Sequence, residues 1–217
     1  MIHYVDDNPR RAIVMKQNPG FFERRLHLVI KGQDKQGNAI ERHYAAFGNL
    51  YLLRWARKVQ VMCHRQARFG MLTDAEKAAH SITYQAAPDY VTRIPYEQTQ
   101  AYQQQHDDVI AKVMVGGTVV VTPGISAGER ALKNECLQRG IPLIHIQKEP
   151  IQALWKPEAE RFQACQHGTL LILAPWNPEE MGQVNGVQQN SLYAIFHNLN
   201  DVASEVCVWS GEARVVR

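Results

Sequence analysis

The sequence predicts an α/β fold: a Rossmann-like three-layer sandwich with a mostly parallel sheet, plus a small N-terminal α+β appendage. Three observations carry this. Short apolar runs recur at "TVVVT" (118–122), "PLIHI" (142–146) and "TLLILAP" (169–175). They lack the apolar–polar alternation of a half-exposed strand, so both faces are expected to be covered. Polar stretches with helix start and stop signals separate them, and a strand–helix–strand order with right-handed crossovers makes the strands parallel neighbours.

The elements follow in order. Residues 1–49 read as the appendage and residues 50–217 as the main domain. "NPRRAIVMKQNPGFFERR" (8–25) sets two Asn-Pro breaks around a short apolar run. "LHLVI" (26–30) alternates, "GQDKQGN" (32–38) supplies a turn, and "IERHYAAF" (40–47) returns, which is a hairpin pattern. "LYLLRW" (50–55) leads into a strand at "KVQVMCH" (58–64), and residues 70–95 read as irregular. A helix spans "YEQTQAYQQQHDDVIAKVMVGG" (96–117), closed by two glycines. After the strand 118–122, "SAGERALKNECLQRG" (126–140) is a helix stopped by Gly140. "KPEAERFQACQHG" (156–168) opens at Pro157 and stops at Gly168. "QNSLYAIFHNLND" (189–201) reads as the last helix and "SEVCVW" (204–209) as the last strand.

Composition bounds the class. The 217 residues are 45% hydrophobic and 21% charged, as in an ordinary globular protein. No run approaches the ~20 apolar residues of a membrane span. The polar start "MIHYVDDNPRR" argues against a secretory signal, and a cytoplasmic location is expected. Cys63, Cys136, Cys165 and Cys207 form no CxxC pair and are expected to be reduced, buried thiols. No metal pattern such as HExxH, and neither GxxxxGK[ST] nor GxGxxG, occurs, so neither a metal nor a cofactor is expected. Charge is uneven. Residues 1–70 carry 13 Lys and Arg against 5 Asp and Glu, a net of +8; the rest carry 11 against 16, a net of −5. A basic first part suits a phosphate or nucleic-acid partner, and it also suits a plain solvated surface.

The candidate ligand edge lies beyond the carboxyl ends of the parallel strands. "TPGISAG" (122–128) joins the strand 118–122 to its helix. Thr122 ends the strand, Gly124 and Gly128 allow close backbone approach, and Ser126 caps the helix, whose first amides attract an anion. His64 and Arg65 follow the strand at 59–63, and an arginine there can fork onto phosphate. Lys148 and Asn190 are placed on the same edge.

These segments resemble the SMF/DprA–LOG superfamily of Rossmann-like modules. "GNLYLLRWARKVQVMCHRQARFG" (48–70) is similar to the strand and Gly-Ser-Arg turn of the DNA-processing protein DprA. Arg65 matches the Arg, while Cys63 and His64 replace Gly-Ser. "GGTVVVTPGISAGERALKNECLQRGIPLIHI" (116–146), "FQACQHGTLLILAPW" (162–176) and "QQNSLYAIFHNLNDVASEVCVW" (188–209) resemble the later segments, with Asn190 at a matching position. The resemblance implies a module that binds a nucleotide or single-stranded DNA and forms homo-oligomers. Its enzymatic LOG branch, a nucleotide phosphoribohydrolase, carries PGGxGTxxE, which Pro123, Gly124 and Glu129 fit in part; Glu129 would be the catalytic carboxylate. A non-binding oligomeric module is the third alternative. "YVDDNPRRAIV" (4–14) also resembles the tail of REP-associated tyrosine transposases. The metal-binding histidines and nucleophilic tyrosine of that family precede the tail, so transposase activity is not expected. As nucleic-acid contacts this leaves Arg10, Arg11, Arg24 and Arg25.

Overall fold

The computed structural model describes residues 2–33, 37–55, 57–60, 74–79, 100–175, 183–184, 187–188, 192–208 and 214–215. Helix α1 spans Ile2–Gln17, followed by strands β1 (Glu23–Gln33) and β2 (Ala39–Gly48), a 3₁₀ turn at Leu50–Arg54 and β3 (Arg57–Gln60). Helix α2 (Asp74–Ala79) and α3 (Gln100–Met114) lead to β4 (Thr118–Thr122), α4 (Ala127–Arg139), β5 (Leu143–Ile146), α5 (Ala159–Gln166) and β6 (Leu170–Pro175). A small pair, β7 (Gln183–Val184) and β8 (Val187–Gln188), precedes α6 (Leu192–Val208) and β9 (Arg214–Val215).

The architecture is an α/β three-layer sandwich on one seven-stranded sheet of order β3-β4-β5-β6-β2-β1-β9. Strands β3 to β6 pair in parallel, and β2, β1 and β9 continue antiparallel. Every residue of β4 and β5 is buried, as continuous apolar strands require when helices lie on both faces. Side chains alternate across the sheet. Val120, Leu143, Leu170 and Ile172 meet Leu132 and Cys136 of α4, Val109 of α3 and Phe162 of α5. Val119, Val121, Ile144 and Leu171 meet Leu199, Val202 and Val206 of α6 on the other face.

The hairpin does not stand apart. Strand β2 pairs with β6 from Tyr44 opposite Pro175 to Gly48 opposite Leu171, so residues 23–48 extend the main sheet. The joint is tight. Gly48 has φ +120°, and a Cβ there would lie 2.3 Å from the Leu170 carbonyl oxygen. The Asn49 backbone amide donates to that oxygen at 2.9 Å, and Asn49 Nδ2 donates to the Gly168 carbonyl at 2.7 Å. Helix α1 also runs through Asn8-Pro9, where the sequence reads as broken. Pro9 removes one donor, and Val14 and Met15 in the later turns pack on the core.

The expected strand at 204–209 is instead the last turn of α6 as far as Val208. Leu199, Val202, Ala203 and Val206 recur at helical spacing and bury together against the sheet, so tertiary burial overrides the β-branched composition. Helix α4 matches its sequence signals, with Ser126 as cap and Gly140 left-handed at φ 66°. Helix α5 starts at Ala159, two residues after Pro157.

His106 on α3 ties that helix to α4, its Nε2 2.7 Å from Glu135 Oε2, and Arg139 braces the same carboxylate. Burial alone would lower the His106 pKa, but hydrogen bonds to Glu135 and Asp107 raise it. Burial opposes the Glu135 shift too, yet bonds from His106 and Arg139 hold its pKa low. The imidazolium form is favoured by folding, so its contribution is full below the unfolded histidine pKa and fades as pH rises through the raised value. The Glu135 contribution is lost only as pH falls through its lowered value. His106→Gln should therefore cost under about 1 kcal/mol near pH 6 and progressively less toward pH 9. Thermal melts of both proteins across that range check this; a difference that does not change with pH would refute it.

Candidate functional site

The carboxyl ends of β4 and β5 open onto the loop 122–126. Thr122 is fully buried, and its Oγ1 accepts the Gly124 amide at 3.1 Å. Gly124 is left-handed at φ +63°, and a Cβ there would stand 3.3 Å from Lys133 Cδ and 3.7 Å from His145 Nε2. The missing side chain thus makes room for the Lys133 stem to lie across the loop. Lys133 is four residues beyond Glu129 and shares its helix face, and helical side chains lean toward the helix start.

The helix start is occupied from within. Ser126 Oγ accepts the Glu129 amide at 3.3 Å. Glu129 Oε2 accepts the Ile125 amide at 2.8 Å and the Ser126 amide at 2.9 Å, completing a capping box. Those two amides were expected to face phosphate; a carboxylate of the chain itself fills that position. Glu129 is 1% exposed, and its Oε1 is buried without a hydrogen bond among the described residues. Gly128 is buried beside it in the first helical turn.

Around the loop stand three cations that sequence reading passed over as site residues. Arg130 donates to the Ile125 carbonyl. Arg161, at the start of α5, donates to Gln147 Oε1 at 2.8 Å and Glu158 Oε1 at 2.7 Å, and its guanidinium lies 5.6 Å from the Trp155 ring centre. Lys133 is half-buried, and no hydrogen bond or ion pair reaches its ammonium among the described residues. Burial pushes its pKa down, Arg161 and Arg130 push the same way, and Glu158 and Glu160 oppose them. His145 on β5 is 8% exposed. Burial, then Lys133 and Arg161, drive its pKa down to about 3, against a hydrogen bond to the Pro123 carbonyl. The imidazole is therefore neutral at ordinary pH and supplies no charge. Its Nδ1 is buried without a partner among the described residues.

The remaining expected residues divide. Lys148 lies on the same edge, just after β5, exposed and 3.8 Å from Glu149. His64, Arg65 and Asn190 lie outside the described residues. Arg24 spends its guanidinium on the carbonyls of Ala153 and Trp155 and stacks 5.2 Å over Phe47, so it holds a loop. Arg25 pairs with Glu23 at 2.9 Å. Arg10 is exposed on α1, and Arg11 lies 5.0 Å over Phe162, the neighbour of Arg161 on α5. Cys136 and Cys165 are buried free thiols, and Cys207 is a partly buried one, each with its pKa pushed up to about 12 by burial, so none is a nucleophile. Cys63 lies outside the described residues.

No family model, curated protein or solved structure matches the chain. No group of three or more metal-binding side chains occurs among the described residues, and no described helix is long and apolar enough to cross a membrane.

Proposed function

We propose that the chain binds the phosphates of a nucleotide or single-stranded nucleic acid at the rim beside Gly124. The observation that carries this is Lys133: a half-buried ammonium with no hydrogen-bond or ion-pair partner among the described residues, with Arg161 and Arg130 as well as Glu158 and Glu160 in its field, at the carboxyl ends of parallel strands. Like charges held together disfavour each other's charged forms, and an oxyanion at that rim relieves the repulsion. The contact is made by side chains rather than by the loop amides, which Glu129 occupies. Two further points support the reading: the resemblance to DprA-type modules and the net +8 of residues 1–70. Arg11 above Phe162 brings α1, with its exposed Arg10, to the helix that bears Arg161, which favours a ligand with several phosphates. Binding is preferred to glycosidic cleavage because the Glu129 carboxylate, which such a reaction would need, is directed into its own loop.

A labelled oligo(dT) titrated at two salt concentrations tests this. Lys133→Gln should weaken binding several-fold at low salt and reduce the slope of log K against log salt by about 1. Thymidine monophosphate in parallel separates a one-phosphate ligand from a strand. Affinity indifferent to salt, or unchanged in Lys133→Gln, would sink the proposal.

A further inference from the structure

The opposite ends of the same strands carry a concavity. A cavity of about 420 Å³ opens where β3 and β4 begin, against the last turns of α3 and α6. Arg57, Lys58 and Lys112 line it, with no carboxylate among the described lining residues. Val59, Val115 and Cys207 supply its apolar wall and Thr118 a hydroxyl. The Gly124 rim lies just past Thr122, the far end of β4, and Thr122 is about 13 Å along the strand from Thr118.

Charge bookkeeping decides what such a cavity takes. The carboxyl ends of α3 and α6 lie there, each worth about half a negative charge. Among the described lining residues, the exposed Arg57 and Lys112 outweigh that by about one positive charge before Lys58 is counted. Lys58 is half-buried; burial lowers its pKa, and its Nζ donates to the Trp55 carbonyl at 2.9 Å. Cys207 is neutral, its pKa pushed up to about 12 by burial. The volume lies in the range of small-molecule sites and exceeds what a bare phosphate fills. We infer that this cavity is a second, independent binding site for a small organic phosphate. The phosphoryl group would meet Arg57, Lys58 and Lys112, and the carbon skeleton would lie on Val59, Val115 and Cys207.

The test is a titration with phenyl phosphate, inorganic phosphate and phenol at constant ionic strength, read from backbone amide shifts of Val59, Val115 and Thr118. Phenyl phosphate should saturate and bind roughly tenfold more tightly than either fragment. Arg57→Gln with Lys112→Gln, both exposed and expected to fold, should weaken it at least tenfold, while Lys133→Gln leaves it unchanged. A urea melt of the double variant confirms that it is folded. Shifts that fail to saturate, that persist in the folded double variant, or that centre on Gly124 and vanish in Lys133→Gln would overturn the inference. The Lys133→Gln arm keeps its failure separate from that of the rim site.

Discussion

Gly48→Ala should lower the free energy of unfolding by about 2–6 kcal/mol, the sum of two costs. A non-glycine residue held at φ +120° costs about 1–3 kcal/mol. Forcing a methyl group into filled space costs about 1–3 kcal/mol more. Here the clash is with backbone, since the new Cβ would meet the Leu170 carbonyl oxygen at 2.3 Å and cannot be relieved by turning a side chain. Relief requires β2 to move off β6, which breaks the Asn49 bonds to Leu170 and Gly168. Urea unfolding measures the loss, and hydrogen exchange should show amides of residues 44–49 and 171–174 opening first. A loss below about 1 kcal/mol would mean that the joint is not closed as described.

Phe47→Ala should cost about 3–5 kcal/mol by a different route, the loss of buried hydrocarbon and the cavity left behind. Phe47 is fully buried on the face of β2 that meets α5 and the loop before it. Its ring packs edge-on against Phe22 at 6.3 Å and Trp155 at 5.7 Å, and the Arg24 guanidinium covers it at 5.2 Å. Removing it loosens Trp155, so Trp fluorescence should change in the native baseline as well as at the midpoint. Phe47→Leu, which keeps most of the volume, should recover more than half of the loss. Equal losses for Ala and Leu would point away from packing as the cause.

Much of the fold is readable because local signals and tertiary burial agree. Strands β4, β5 and β6 are continuous apolar runs because both faces are covered. Helix α4 is delimited by Ser126 and Gly140, and Ser126-Ala-Gly-Glu129 spells the capping box that occupies the loop amides. Where the two disagree, reading fails. The Val206-Cys207-Val208 end of α6 has strand composition but helical spacing, and packing on the sheet decides for the helix. The docking of β2 on β6 joins segments more than a hundred residues apart, and nothing local encodes such a pairing. The same holds for the rim. Lys133, His145 and Arg161 sit on three different elements and meet only once α4 and α5 pack side by side over β5. Arg24 and Arg25 illustrate the converse. A basic sequence does not say whether its charges face solvent or are engaged within the chain, as these are.

The antiparallel seam between β2 and β6 has a consequence for how the chain associates. Strand β6 is interior only because a segment from far earlier in the chain lies along it. A molecule in which that segment peels away exposes a bare, apolar ladder, which a hairpin from a neighbouring copy fits as well as its own. The Gly48–Asn49 clasp is thus what keeps that ladder covered within a single chain.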